Sequence, residues 1–352
     1  MTKEKTKIVY TSEHCCIRVN KLAKALMKTG KYEIHGLAKQ ISYGSQDFDA
    51  LSFYHNEKQF KNLVASVDAD IFLHANEPCH QLNWIREVRP DAKIILDAHD
   101  LDSIRVDIMP VAEHRAMTNC DGVLFVSRET QEFILDLHRD QLRNKPTEYV
   151  EHYCNEEFLT DEFNPPDIQR RGLVYEGGAQ SPPYKEPHFK YRQVYKLFKK
   201  LIDQGHELHV MAGNPDVYST FLNIGGFLYM PQVYPELMKS MRNFRWGLIV
   251  WNNPDHDQKQ VNLTRTNKEQ EYLACGLPII VLDAPATAEY VKEKNVGLVF
   301  DKIEDIVPEA LEEAYPEVKK NVDALRPELS MEKHIFKLED LISKVLGKNA
   351  DN

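Results

Sequence analysis

No apolar run in these 352 residues approaches the ~20 that a membrane-spanning helix needs, so no transmembrane segment is expected. The start, Met1-Thr2-Lys3-Glu4-Lys5, lacks the apolar stretch of a signal peptide, and the expected location is cytoplasmic. Cysteine is sparse: Cys15, Cys16, Cys79, Cys120, Cys154 and Cys275 are scattered, apart from one adjacent pair, with no CxxC spacing. That argues against a disulfide framework and for reduced thiols. Cys15 and Cys16 read as buried thiols with no base in evidence, so no nucleophilic role is assigned to them. Neither half opens on a G-x-G-x-x-G turn, which speaks against a nicotinamide or flavin enzyme. Positive charge is in deficit as well, 44 Lys and Arg against 54 Asp and Glu, and the net −10 disfavours wholesale binding to nucleic acid or anionic membrane. Internal repeats and low-complexity tracts are absent.

What is present is an ordinary globular composition, 42% hydrophobic and 28% charged, in a chain too long for one core. Short apolar runs predict strands at 8–11, 32–36, 70–74, 93–97, 122–126 and 147–150. Amphipathic helices are predicted between them at 19–29, 80–88, 111–119 and 129–139. Residues 153–170 lose periodicity, contain Pro165-Pro166, and read as a linker. The alternation then restarts, with strands at 172–176, 207–211, 227–230, 246–251, 278–282 and 297–300. Helices are predicted at 188–203, 235–243, 266–275, 286–294, a proline-interrupted stretch at 303–325, and a last one at 331–346. Strands alternating with helices imply βαβ units, hence an α/β fold of two Rossmann-like domains, with the cleft between them as the default binding site.

The most informative stretch is 264–282, T-R-T-N-K-E-Q-E-Y-L-A-C-G-L-P-I-I-V-L. Thr266 and Glu269 have the spacing of a capping box, Gly276 supplies a helix stop, and Pro278 bars continuation before an apolar strand. Lys268 and Glu271 share one helical face. Free N–H groups at Thr266 and Asn267 with a lysine in the first turn suit a phosphate, and a carboxylate one turn further in suits a ribose diol. This segment resembles the donor-site helix of GT-B glycosyltransferases of the retaining GT4 type, K-x-x-E-[YA]-x-A-x-G-x-P-[VI]. In that family the glutamate, here Glu271, holds the ribose of the donor nucleotide.

The resemblance, strongest between Lys93 and Val299, implies a full GT-B architecture. Residues 1–165 would form an acceptor-side domain and 170–328 a donor-binding domain, with 329–352 a helix crossing back onto the first. It implies a pyrophosphate loop at Gly177-Gly178, followed by a basic residue for which Lys185 is nearest and Arg192 a substitute. It further implies Asn214 lining the donor site and a backbone segment at Val233-Tyr234 beside the nucleobase. Gly-Gly at a strand end also lets backbone approach a phosphate closely on physical grounds alone.

In the first half, L-D-A-H-D-L-D-S-I-R (96–105) packs Asp97, His99, Asp100 and Asp102 at a strand's carboxyl end, where an open sheet faces its ligand. The resemblance gives His99 contact with the transferred sugar, with Asp100 second. A rival reading takes Asp97, His99 and Asp100 as ligands of a divalent metal, with His74 and His80 as additions, in a hydrolase. Arg18 resembles a helix-entry arginine that meets a phosphate or acceptor anion, or else pairs with Glu13. One departure matters: the first glutamate of the family's E-x7-E pair is Leu263 here. The nearby loop 252–259 offers Asp255, His256 and Asp257 in its place, in what reads as a mobile, solvated loop.

These features together predict a glycosyltransferase that moves a sugar from a UDP- or GDP-linked donor to an acceptor hydroxyl, with retention and no required cofactor or metal. A non-catalytic nucleotide-sugar-binding relative is the alternative beside the hydrolase. The acceptor stays open among glycan, lipid-linked sugar, small molecule and, less favoured, modified DNA. The DNA option is raised by basic and aromatic residues interleaved over 169–200.

Overall fold

In a computed structural model the chain divides into two compact units, Met1–Asn155 with Met331–Asn352, and Glu156–Ser330. The structure describes residues 4–41, 43–76, 78–106, 110–162, 164–180, 187–213 and 217–348. The expected sites Lys185 and Asn214 lie outside the described residues.

Among the described residues, the first unit holds a seven-stranded parallel sheet: β1 (Thr6–Thr11), β2 (Tyr32–Ala38), β3 (Ala50–Phe53), β4 (Ile71–Ala75), β5 (Ile94–Ala98), β6 (Gly122–Phe125) and β7 (Thr147–Tyr149). Their spatial order is β3-β2-β1-β4-β5-β6-β7. The chain starts in the middle, winds outward one way, then returns and winds the other. Strands β4, β5 and β6 are buried along their whole length, which explains runs such as Ile94-Ile95-Leu96 with no polar alternation. The helices between them are α1 (Ile17–Lys28), α2 (Glu57–Ser66), α3 (His80–Val88), α4 (Val111–Asn119) and α5 (Arg128–Leu137). Helix α2 starts where the Gln59 N–H donates to the Asn56 side chain, and α5 where the Thr130 N–H donates to Ser127.

The second unit repeats the plan with six strands: β8 (Arg171–Glu176), β9 (Leu208–Met211), β10 (Phe227–Leu228), β11 (Phe244–Val250), β12 (Ile279–Leu282) and β13 (Gly297–Phe300). The order is β10-β9-β8-β11-β12-β13, the same double winding. Its helices are α6 (Tyr195–Asp203), α7 (Tyr234–Met241), α8 (Asn267–Ala274), α9 (Pro285–Lys294) and α10 (Pro308–Leu325).

The segment after Ser330 belongs to the first unit. Met331, Ile335, Leu338, Leu341, Ile342 and Val345, the last four on α11 (Phe336–Val345), join the core of Val19, Leu22, Leu26 and Ile95. At the rim Lys28 pairs with Glu332 at 3.0 Å and Lys31 with Glu339 at 2.9 Å. Gly122 on β6 makes room for this helix: a Cβ there would stand 2.8 Å from a methyl of Val345.

Several expectations need correction. The strand β3 and helix α2 were not anticipated at all. Of the segment expected as a linker, residues 153–155 belong to the first unit and 156–170 are built into the second. Phe158 packs edge-on against Tyr234 at 5.1 Å, and the Leu159 and Thr160 carbonyls accept from Arg326 at 2.8 Å each. The helix expected over 188–203 is only α6. Residues Pro187–Arg192 form a kinked 3-10 stretch broken at Phe189, because Tyr191 is drawn into the core against Trp251 and Arg192 stacks on Phe189. Conversely, α10 runs unbroken through Pro316, held by Tyr315 packed against Trp246.

Candidate functional site

In the second unit, β8 ends at Glu176 and the chain turns through Gly177 and Gly178. Gly177 takes a φ of +109°, which a residue with a Cβ rarely adopts. Its N–H donates to the Met211 carbonyl at 3.1 Å. That amide is therefore spent on the sheet, which corrects the expectation that both glycine amides face a ligand. Beside this turn stands α8, whose N-cap is Thr266 and whose end is fixed by Gly276 at φ +73°. The capping box does not form: Thr266 Oγ1 makes no bond to the helix start, and Glu269 is buried and held by Arg265 Nε at 2.9 Å.

Lys268 is the centre of the arrangement. It is only 6% exposed, and its ammonium lies 4.2 Å from the Tyr175 ring centre and 4.1 Å from that of Trp251. Nζ has no hydrogen-bond partner among the described residues, nor do the buried Thr266 Oγ1 and Asn267 Oδ1 next to it in sequence. Burial pushes the ammonium down to about 7; Glu176 and Glu271 oppose the shift and Arg192 reinforces it. A Cβ on Gly177 would stand 3.3 Å from Lys268 Nζ, and a Cβ on Gly178 would stand 3.1 Å from Arg192 Nη1. Two cations thus flank one glycine turn, each close enough that a side chain in place of hydrogen would push it back by a few tenths of an ångström. Three buried polar atoms at one helix start, without hydrogen-bond partners among the described residues, suit a polar ligand.

Glu271 lies one turn further in, 2% exposed. Of the pair expected beside the base, Val233 caps α7 and is 59% exposed, whereas the Tyr234 ring is packed against Phe158 and is not open to stack on a ligand. The loop 252–259 is built rather than mobile. Asn253 is buried, donates to Asn262 Oδ1 at 3.0 Å, and accepts from the Gln258 N–H at 3.1 Å. Asp257 is paired with Lys190. The interleaved basic run also dissolves as a stripe: Arg170 is buried under the Cys275 and Gly276 carbonyls, Lys199 bonds Asp203, and Lys200 bonds Glu304.

In the first unit, His99 and Asp100 sit just past β5. Asn76, at the end of β4, accepts from both backbone N–H groups, at 2.7 and 3.0 Å, and so fixes the turn. His99 Nδ1 faces the Asp97 carbonyl at 3.2 Å and its carboxylate at 3.6 Å, while Nε2 faces Cys16 Sγ at 3.7 Å. Burial works to lower the imidazole, but Cys16, Asp97 and Asp100 outweigh it and raise it to about 9. The absence of a base beside Cys16 is thus corrected: 83 residues of sequence separate the pair.

Arg18 needs correction too. It is fully buried, with Nε on Asp97 at 2.9 Å and Nη1 on the Val150 carbonyl at 2.8 Å, so it reaches neither an external anion nor Glu13, which pairs with Lys39. Asp97 also accepts from Tyr10 at 2.8 Å. With that carboxylate committed, His74 bonded to Thr11 at 2.8 Å, and His80 edge-on to Trp84 at 4.4 Å, the residues of the hydrolase reading do not converge on a metal. Among the described residues no three His, Cys, Asp or Glu side chains do.

Comparison with known proteins bears on the fold. Residues 200–338 match the family described as glucosyltransferase 3-like, C-terminal domain. Glucosyltransferase 3 of Streptococcus gordonii is 31% identical over 100 residues, which is 28% of this chain and 29% of that protein's length. Among solved structures, sucrose-phosphate synthase of Thermosynechococcus elongatus superimposes with a TM-score of 0.71 at 13% identity, covering 97% of this chain and 100% of that one. HepE of Anabaena, solved with UDP, gives 0.70 at 11% identity over 97% and 100%. The chain has the α/β fold of GT-B glycosyltransferases, with two Rossmann-like parallel sheets.

Proposed function

We propose that this protein is a glycosyltransferase whose second unit binds a nucleoside diphosphate sugar and whose first unit carries the residues that steer transfer to an acceptor hydroxyl. The observation that carries the reading is Lys268: a buried ammonium without a hydrogen-bond partner among the described residues, held against Gly177 opposite Arg192. A diphosphate supplies the acceptor oxygens that the Lys268 ammonium does not find among the described residues. Lys268 and Arg192 then neutralise the leaving diphosphate as the glycosidic bond breaks, which is the main electrostatic demand of such a transfer. Glu271 takes the ribose, Val233 lies beside the base, and His99 with Asp100 orients the sugar. Lys185 and Asn214 remain donor-site proposals from the resemblance. Retention of configuration and independence from metal belong to the same reading, as does a cytoplasmic site of action.

The experiment is thermal unfolding against UDP, GDP and other nucleoside diphosphates, with and without divalent metal. A ligand at about 100 times its dissociation constant adds roughly 2.7 kcal/mol. Stabilisation by one diphosphate, lost in Glu271→Ala but retained for inorganic pyrophosphate, supports the assignment. Equal stabilisation of wild type and Glu271→Ala by the nucleotide removes the ribose role, and silence across the panel removes the donor site. Because Leu263 stands where the family has a carboxylate, a nucleotide-binding protein without turnover is the second reading. Release of free sugar from the donor over hours counts against it.

A further inference from the structure

Of the six cysteines, five are buried and only Cys16 is part-exposed. It is the N-cap of α1, a helix of 12 residues. There the partial positive charge of the helix start favours a thiolate. Its sulfur is 3.7 Å from His99 Nε2, and the far nitrogen of that ring faces Asp97. Arg18 and Tyr10 fix Asp97 in turn, and Asn76 fixes the backbone of His99, so the ring is oriented from behind. Each of these contacts lies within the first unit.

We propose that Cys16 is a reactive thiolate paired with the His99 imidazolium, and that it is a site of covalent modification by small-molecule disulfides and other soft electrophiles. Burial alone would hold the thiol up, but His99 and the Val19 amide outweigh it and bring Cys16 below the ordinary thiol range; Asp97 opposes them. Asp97 and Asp100 hold the proton on His99. The neighbouring Cys15 goes the other way: burial raises it to about 11, so it stays protonated. In the exchange step the Cys16 sulfur attacks one sulfur of the disulfide. A new Cys16–S–S–R bond forms, the old S–S bond breaks, and RS⁻ leaves to take a proton from solvent. Cys16 is oxidised and the released thiol is reduced. The adduct removes the negative partner of His99 and adds bulk at the end of β5. On the functional reading above, transfer stops until a thiol reverses the exchange.

Limited alkylation with iodoacetamide from pH 6 to 8, followed by peptide mapping, tests the pair directly and needs no transferase turnover. An ordinary thiol of pKa ~8.5 slows by roughly 75-fold from pH 8 to pH 6. The expected result is that the first label lands on Cys16 and that its rate falls clearly less over this range than that of an ordinary thiol. His99→Gln should slow labelling at pH 6 by at least tenfold; if that variant does not fold, the wild-type pH profile still decides. Labelling of Cys16 no faster than Cys79 or Cys154, or with the profile of an ordinary thiol, overturns the proposal. Glutathione disulfide should then add one glutathione, on Cys16, and Cys16→Ser should add none. Full occupancy of Cys16 with undiminished transfer overturns the inhibitory consequence, whereas absence of transfer in unmodified, reduced protein counts against the transferase reading and leaves the thiolate pair standing.

Discussion

A Cβ on Gly177 would come within 3.3 Å of Lys268 Nζ, so the glycine turn and the ammonium are matched to one another across β8 and α8. In the free protein that ammonium costs stability, because it is desolvated and has no hydrogen-bond partner among the described residues. Lys268→Met keeps the stem and removes the charge. The unliganded variant should unfold at a higher temperature at pH 6, roughly 2–4 °C for each kcal/mol recovered. Its affinity for the diphosphate should fall about 10- to 100-fold, since hydrogen bonds to charged groups are worth about 1.5–3 kcal/mol. Gain of stability with loss of binding separates a ligand-binding lysine from a structural one.

The same lysine sets a pH dependence. Its folded-state value of about 7 lies below the ordinary 10.5, so between the two the unfolded chain holds a proton that the folded chain does not. Stability of the unliganded protein therefore gains a contribution as pH rises through that window. Urea unfolding between pH 7 and 10 should show it, and Lys268→Met should flatten it.

Binding of a diphosphate reverses the shift by placing negative charge beside Nζ. At pH 8, calorimetry in buffers of different ionisation enthalpy should report uptake of up to one proton, with affinity falling as pH rises. Binding with no proton exchange would show that Lys268 does not meet the phosphates.

Gly178→Ala and Gly177→Ala test different things. The first sets a methyl 3.1 Å from Arg192 Nη1 without requiring a left-handed φ, and should weaken diphosphate binding tenfold or more with little change in unfolding temperature. The second adds backbone strain at φ +109° and should lower both.

Arg18→Met probes the corrected assignment in the first unit. It leaves the buried Asp97 without its guanidinium partner, and breaking a buried pair costs about 3–5 kcal/mol. The expected outcome is a strongly destabilised first unit with unaltered diphosphate affinity in the second. A stable variant that loses only acceptor use would restore Arg18 as a ligand contact.

In several elements the periodicity that makes strands and helices survives in sequence. His80–Val88, Val111–Asn119 and Gly297–Phe300 have the bounds that their patterns predict. Strand β3 is a four-residue edge strand exposed at both ends, and α2 opens on three exposed residues, so neither shows an apolar pattern where it starts. The lysine and glutamate of α8 are legible since they share one helix and one spacing. The aromatic pair around Lys268 is not, because Tyr175 and Trp251 come from two other strand ends. Cys16 and His99 meet only because the parallel strands β1 and β5 both end at the carboxyl end of the sheet, one strand apart. Chain topology supplies that proximity, and no local pattern encodes it.

The return of residues 331–345 to the first unit has a temporal side. The second unit is one uninterrupted stretch, so its sheet can close while the chain is still being made. The first unit has its six inward-facing apolar side chains from the far end of the sequence, each worth about 1.5–3 kcal/mol on burial. It waits, with the apolar faces of α1 and β6 uncovered, until the last helix leaves the ribosome. During synthesis the half that holds His99 is thus the later to mature and the one in need of protection, although it is the first to be translated.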